Sequence, residues 1–569
     1  MKNRHLLFSF LFCIIACQNN SSLDKQDKDV FPFEYELSFR PNILWLVAED
    51  LSPVIPSFGD STIQTPNLSR LAAEGVCYDN VYSPSPVCAP SRAALATGMY
   101  PTHIGANHMR TGPWFATDMP QQFLDNYKAK PSTLQHYEAL PPAGIRMFSE
   151  YLREAGYYCT NNSKQDYQFR CSVTAWDETS NEAHWKNRQP DQPFFAIFNY
   201  GITHESQIWG KATDSLWVDS ALEVPIPPYL PNTEVAKKDI RRMYSNIKVM
   251  DNQIGQMLKE LEAAGELERT IIVWYTDHGG PLPRQKRLLY DSGLKVPMII
   301  RFPNKLFAGQ RDNRLISFID FGPTALSMAD IQPPSFLDGK AFLGKYRRKE
   351  EPTHIFAAAD RFDETYDSNR AVRDERYKYI KYYEPQKPMF LEVAYRNQMP
   401  IMQELLKLKE AGALTKEQAF WFRSTKPEEE LFDTKADPYE VNNLANEAAY
   451  QDKLKELRSK CSAWVTSFED TGLISEQTLQ EKMRPGGKEL KVNRPTFKLE
   501  QGKVTLSCST NAATIGYKMN DNSTNADGWK LYKEPLLLQT GDTLKVVADR
   551  IGYRYSEIVE ITSDNETED

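Results

Sequence analysis

Three stretches of the chain are almost continuously apolar for the length of a β-strand and then stop on polar side chains. "NILWLVAED" (42–50) ends at Glu49 and Asp50, "PFFAIFNYGITHES" (193–206) runs out at His204, and "IIVWYTDHGG" (271–280) ends at Asp277 and His278. Runs apolar on both faces predict central strands of a mostly parallel sheet covered on both sides. Between the last two lies "SNIKVMDNQIGQMLKELEAAGELERT", with Ile247, Met250, Ile254, Met257, Leu258 and Leu261 at three- and four-residue spacing. That spacing predicts an amphipathic helix closed at Gly265. Strands alternating with helices make an α/β domain, and such sheets bind ligands beyond the carboxyl ends of their strands. The polar ends of the three runs therefore make one candidate site, although they lie far apart in sequence.

The texture changes after Leu473. Residues 475–494 ("SEQTLQEKMRPGGKELKVNR") are polar with a Pro-Gly-Gly break and read as a linker. From 495 to 569 come short runs with turn signals between them, among them "KVTLSC", "TIGYKMN" and "DTLKVVADRIGY". Evenly spaced short strands without helices predict a small β-sandwich. The expected organisation is a catalytic domain over 40–474, with a C-terminal subdomain from about 352, followed by that module.

Composition narrows the class. A length of 569 residues exceeds one average domain, and 41% hydrophobic and 12% aromatic residues are ample for a packed core. A net charge of −8 argues against nucleic acid as a partner. The N-terminus carries Lys2 and Arg4, an apolar stretch from Leu6 to Ala16, and then Cys17. This is a secretory signal over 1–17, too short to span a bilayer, and its "IIAC" end resembles a bacterial lipobox. Cys17 is then the lipidated residue, residues 18–39 are a polar tether, and a lipid anchor is the expected membrane contact. The location that follows is the periplasm or cell surface, at the outer membrane of a Gram-negative bacterium. Without Cys13 and Cys17, six cysteines remain, with no C-x-x-C pair that would indicate zinc or a redox site. A Cys159–Cys171 bridge stays open on proximity alone.

One of the six stands in "SPVCAPSRAALATG" (85–98), at the start of a helix-like run and four residues before Arg92. A helix N-terminus and a guanidinium both stabilise a thiolate, so Cys88 is a candidate nucleophile; a buried structural cysteine is the alternative. The residues around it point elsewhere. Cys88-Ala89-Pro90-Ser91-Arg92, followed by Thr97-Gly98, resembles the C-x-P-S-R…T-G signature of type I sulfatases. Further family landmarks follow in order from Arg40 to about Ala445: "RPNILWLVAEDLSP", "TPNLSRLAAEGVCYDNVY", "VWYTDHGG", "KRLLYDSGLKVPMIIRFP" and "ELFDTKADPYEVNNLA".

The resemblance implies an alkaline-phosphatase-like α/β fold, with a large mixed, mostly parallel sheet flanked by helices. It also implies that a dedicated maturation enzyme oxidises Cys88 to Cα-formylglycine, whose hydrate attacks sulfur in place of a thiol. Glu49, Asp50, Asp277 and His278 then match the calcium ligands, with position 88 completing the set. Three carboxylates suit a hard cation, whereas the family usually has two aspartates at the first pair, and His278 is a soft ligand that can instead contact sulfate or formylglycine. Arg92 matches the residue that steadies the formylglycine hydrate. Lys164 matches the lysine of the K-x-H element, whose histidine is here Asp166; a carboxylate can act as the base there. His204 matches the histidine at the scissile oxygen, and Lys286 the sulfate-binding lysine of K-x-x-x-Y-E. Asp277 would deprotonate the attacking hydroxyl.

Within the family, the chain looks most like bacterial members labelled heparan N-sulfatase-like or arylsulfatase A-like. The C-terminal module resembles the immunoglobulin-like domain of chitobiases and of other secreted glycan-acting enzymes. The substrate expected from these features is a sulfated polysaccharide or oligosaccharide, either an algal glycan such as ulvan or carrageenan, or a glycosaminoglycan. His108, Arg110 and Arg361 are candidate substrate contacts, with Arg370 and Arg373 weaker ones. The rival readings are a phosphonate or phosphate monoester hydrolase of the same superfamily, and a non-catalytic glycan-binding lipoprotein.

Overall fold

The three apolar runs lie side by side at the centre of one sheet. In this computed structural model residues 35, 37–109, 137–363, 365–521 and 528–563 are described, and they all belong to one compact unit. The proposed signal and Cys17, like Arg110, lie outside the described residues. The sheet comprises β1 (Asn42–Ala48), β2 (Val76–Tyr82), β3 (Tyr158–Asn162), β4 (Glu178–Thr179), β5 (Phe194–Tyr200), β6 (Thr270–Thr276), β7 (Lys295–Arg301), β8 (Gln310–Asp312) and β9 (Ile316–Ser317). Their order is β4-β3-β5-β1-β6-β7-β2-β8, with β9 also paired to β2. From β4 to β6 every pairing is parallel, whereas β7 runs antiparallel to both β6 and β2. β1 is buried at all seven positions, as a strand covered by helices on both faces must be.

The long helix Glu234–Ala263 buries Ile247, Met250, Ile254, Met257, Leu258 and Leu261, and its N-terminus is capped by the Thr233 side chain. A second, antiparallel sheet of Ile355–Ala359, Asn369–Arg373, Tyr377–Tyr382 and Glu429–Asp433 follows. The helix Gln451–Val465 contributes Leu454, Leu457 and Cys461 to a core shared with Val372, Tyr379 and Leu431 of that sheet.

The C-terminal residues form a three-stranded and a four-stranded sheet, sharing a core that includes Phe497, Val504, Leu506, Leu544, Val546 and Ile561. This module is tied to the larger body by polar contacts. Arg153 Nη2 donates to Trp529 O at 2.7 Å, Lys533 Nζ donates to Arg153 O at 2.7 Å, and Val173 N donates to Asp549 Oδ2 at 2.8 Å.

Two expectations are corrected. The 475–494 segment is not a bare linker, because it carries a helix over Glu476–Met483 with Ser475 as N-cap. Leu479 and Met483, four residues apart, form its buried face, and Met483 Sδ accepts a hydrogen bond from Leu140 N at 3.1 Å. Two apolar residues in a polar stretch are too weak a pattern to announce a helix that short. Cys159 and Cys171 are both free, so no bridge joins them.

Candidate active site

Strand register creates the site. Ala48, the last residue of β1, is level with Tyr200 of β5 and Thr276 of β6. The residues that follow all three strands therefore emerge together at the carboxyl edge. Backbone contacts lock them: Asp277 N donates to Ala48 O at 3.1 Å, Asp50 N to Asp277 Oδ1 at 3.1 Å, and Glu205 N to Asp50 Oδ2 at 2.8 Å. Asp50 adopts φ 49°, the left-handed region that non-glycine residues seldom occupy. Such strain persists where surrounding contacts over-determine it, and it clusters at functional sites.

Cys88 is the first residue of the helix Cys88–Thr97, which is buried along its whole length and ends at Gly98 with φ 71°. Its Sγ lies 3.3 Å from His278 Nε2 and 4.0 Å from Asp50 Oδ1. Burial alone would push this thiol up, yet Lys164 and Lys286 bring it down to about 6. The helix N-terminus favours the anion as well. One turn on, Ser91 Oγ donates to Asp277 O, and Arg92 binds Asp277 Oδ2 through Nε at 3.1 Å and Nη2 at 2.9 Å.

Cations and carboxylates alternate around this sulfur. Lys164 Nζ donates to Glu49 Oε2 at 2.8 Å, and Lys286 Nζ contacts both oxygens of Asp50 at 3.0 and 2.8 Å. Burial would raise the Asp50 carboxyl, but Lys286, His204 and His278 hold it well below the usual range. Asp277 is also kept ionised, by His278, Arg92 and Lys164 acting against burial. Burial would lower His278, yet Asp277 and Asp50 raise it to about 10. Its Nε2 lies 3.0 Å from Asp50 Oδ1 and its Nδ1 3.0 Å from Gly279 O. His204 Nε2 lies 3.2 Å from Lys286 Nζ, and its side chain keeps 11% of its surface exposed. Asp166 lies 3.8 Å from Lys164, with its Oδ1 buried and without a hydrogen bond. Cys88, Arg92, Lys164, Asp166, His204, Asp277 and Lys286 thus form one connected cluster.

The expected substrate contacts are placed differently. His108 is buried, with Nδ1 2.6 Å from Tyr137 Oη, and burial holds it down at about 3, so it is a neutral packed ring. Arg361 pairs with Glu476 of the helix in the former linker. Arg370 is fully buried between Asp360 and Asp470.

The chain's relatives can now be set beside this geometry. Residues 41–331 match the sulfatase family, and residues 284–417 match the family described as N-sulphoglucosamine sulphohydrolase, C-terminal. An ulvan-active sulfatase of Formosa agariphila is 48% identical, over 99% of this chain and 98% of that protein. This chain belongs to the sulfatase family. Human N-sulphoglucosamine sulphohydrolase is 24% identical over 78% of this chain and 94% of that protein. The fold is shared with a protein solved in complex with its substrate D-glucosamine-2-N,6-O-disulfate, at TM-score 0.51 and 17% identity over 79% of this chain and all of that one. It is also shared with a phosphonate monoester hydrolase of Agrobacterium radiobacter, at TM-score 0.50 and 15% identity over 76% of this chain and 97% of that one. The alkaline-phosphatase-like α/β architecture expected from the sequence is the one observed, and the activity is that of a sulfuric ester hydrolase.

In this sulfatase the ligand atoms of Asp50, Cys88, Asp277 and His278 all lie within 4.8 Å of one another. Two ionised carboxylates at that spacing fit a hard divalent cation, and His278 joins the set only by shedding its Nε2 proton. Glu49 stands outside this group, with its carboxylate held by Lys164. Three residues escaped the sequence reading. Glu205 lies 3.2 Å from Lys286, Arg287 binds Glu205 through two nitrogens at 3.0 and 2.8 Å, and Asn199 Oδ1 accepts from Arg92 Nη1 at 2.7 Å. Glu205 follows His204 and Arg287 follows Lys286, but that adjacency assigns them no role, and Asn199 adjoins no candidate residue.

Proposed function

We propose that this sulfatase removes sulfate ester groups from a sulfated glycan, with ulvan the first candidate. The carrying observation is Cys88 at a buried helix start, ringed by Arg92, Lys164, Lys286, His204 and Asp277. The 48% identity to an ulvan-active sulfatase supports ulvan as substrate. Formylglycine matured from Cys88 would supply the nucleophilic oxygen, and a calcium ion, which Asp50 and Asp277 with His278 would hold, would supply Lewis acidity.

The chain's own residues do the rest. Arg92, Lys164 and Lys286 place fixed positive charge where the sulfuryl oxygens gain negative charge, in a buried site where such interactions are strong. Asp277, held ionised, accepts the proton of the attacking hydroxyl. His204, on the more open side of the cluster, donates a proton to the leaving alkoxide. Asp166, with its unpaired buried oxygen, serves as the base where relatives of this type carry histidine.

The test is sulfate release from ulvan, carrageenan and glycosaminoglycan oligosaccharides, using enzyme co-expressed with a formylglycine-generating maturation enzyme. Release by the wild type and none by Cys88→Ala is the expected outcome. Full activity with unmodified Cys88, read by mass spectrometry of its peptide, sinks the nucleophile assignment. A preference for aryl phosphates or phosphonates over aryl sulfates would favour the hydrolase reading instead. Chelation should abolish release and added calcium should restore it; indifference to both removes the metal. We further propose a lipid anchor at Cys17 and a periplasmic or cell-surface location, supported by the "IIAC" ending. Persistent fatty-acid labelling in Cys17→Ala would refute the anchor.

A further inference from the structure

One sizeable cavity has no wall at Cys88. It encloses about 540 Å³ between the long helix, the loop around Gly280–Ser292 and the turn at Thr434–Tyr439. That size falls in the range of roughly 300–1,000 Å³ typical of small-molecule sites. Five prolines, at 53, 225, 227, 281 and 438, stiffen its walls. A pre-formed site loses little conformational freedom on binding. The rings of Tyr229, Tyr244 and Tyr439 supply the apolar surface, and Tyr439 keeps 44% of its area exposed.

The polar groups of this cavity are mostly committed. Tyr244 Oη donates to Asp60 Oδ2 at 2.5 Å, Gln285 Nε2 donates to Tyr229 Oη at 3.2 Å, and Asp291 is held by Arg373 at 3.1 Å. Lys295, a half-buried lysine of the cavity wall, is the exception. Its ammonium lies 6.0 Å from the Tyr82 ring centroid and makes no hydrogen bond or ion pair among the described residues. Burial holds it below its ordinary value, against the pull of Asp291. A partly desolvated cation without a partner gains more from an incoming anion than a hydrated one does.

We propose that this cavity is a second, non-catalytic binding site for an anionic saccharide unit, with Lys295 holding its acidic group and Tyr439 stacking on its ring. Exposed aromatic rings that present an apolar face and a polar edge suit sugars, which offer both. The unit is either a further residue of the bound polymer or a released oligosaccharide. The site also touches the catalytic machinery through the chain. Gln285 lines the cavity, while its neighbour Lys286 contacts Asp50, and Gly280 lies two residues beyond His278. The proposal rests on the sulfated-glycan reading above.

The test uses the full-length matured enzyme. A sulfate-free uronate oligosaccharide, which gives the active site nothing to cleave, is titrated calorimetrically into wild type, Lys295→Met and Tyr439→Ala. Sodium sulfate is titrated in parallel. Lys295→Met should weaken saccharide binding about tenfold, the loss of one charged hydrogen bond, and Tyr439→Ala about threefold. KM for the polymer should rise by similar factors at constant kcat, while turnover of a small aryl sulfate is unchanged. Lys295→Gln replaces Lys295→Met if the latter lowers the melting temperature. Unchanged saccharide binding and polymer KM overturn the proposal. Lys295-dependent binding of inorganic sulfate alone overturns the saccharide assignment. If wild type cleaves the aryl sulfate but no glycan, the substrate reading falls, and the titration by itself upholds or overturns the cavity site.

Discussion

Arg92 and Arg370 are both buried arginines facing two carboxylates, yet they serve different ends. Arg370 donates through Nε and Nη2 to Asp470 at 2.7 and 2.6 Å and through Nη1 to Asp360 at 2.7 Å. Asn107 Nδ2 takes the second oxygen of Asp360 at 2.7 Å. The backbone closes in as well: a Cβ at Gly472 would lie 2.2 Å from Asp360 Oδ2. Nothing in this cluster is left for a ligand. Arg92 also binds a carboxylate doubly, but its surroundings stay unfinished. Asp166 Oδ1 is buried without a hydrogen bond, and the Cys88 thiol sits between Asp50 and His278. Buried polar groups are normally satisfied, so an incomplete cluster marks where chemistry enters and a complete one marks a structural brace.

Substitutions can break this contrast from either side. The largest effect is expected for Cys88→Ala, which should lower sulfate release by about 10⁴-fold or more without changing the melting temperature. Next comes Arg370→Met, which strands Asp360 and Asp470 and should destabilise the fold by about 3–5 kcal/mol. Urea unfolding measures this, and the activity per folded molecule should stay near wild type; a selective loss of turnover would make Arg370 functional after all. Lys286→Met should lower kcat per folded molecule about 10²–10³-fold, the scale of removing one charge-stabilising donor. Because it also strands Asp50 and Glu205, urea unfolding should shift too, and the loss of turnover per folded molecule is what separates it from Arg370→Met.

A smaller effect tests buried charge that has no paired cation. Burial pushes Asp549, at the seam with the C-terminal module, up to about 7, opposed by the Val173 and Arg550 amides. A raised carboxyl contributes stability that is complete below its unfolded value, about 4, and is lost as pH rises through about 7. The protein should therefore weaken between about pH 4 and pH 7 and level off above that. Asp549→Asn should flatten that slope, worth on the order of 1–3 kcal/mol at the alkaline end. Parallel melting curves for wild type and variant across that interval would refute this.

The site was more legible than its surroundings. Cys88 with Arg92, the acids ending β1 and β6, and His204 after β5 stand in motifs or at the ends of apolar runs, where local sequence carries the signal. Glu205, Arg287 and Asn199 carry none, because each acts on a residue more than 75 positions away. Arg361 and Arg370, expected as substrate contacts, are paired with Glu476 and with Asp360 and Asp470, partners that the sequence does not announce. Lys295 looks like an ordinary strand-start lysine until the cavity around it is seen.

By itself, the sequence determined the family, the α/β class, the helix period and the motif that holds Cys88. These follow from short-range spacing and from the side-chain chemistry of a few contiguous motifs. Tertiary structure alone decided which charges are paired and which are left unsatisfied. It also decided that the supposed linker folds and that a cavity lies behind the loop bearing Lys286. The reason is that burial and pairing depend on groups brought together by strand register and packing, which no local pattern records.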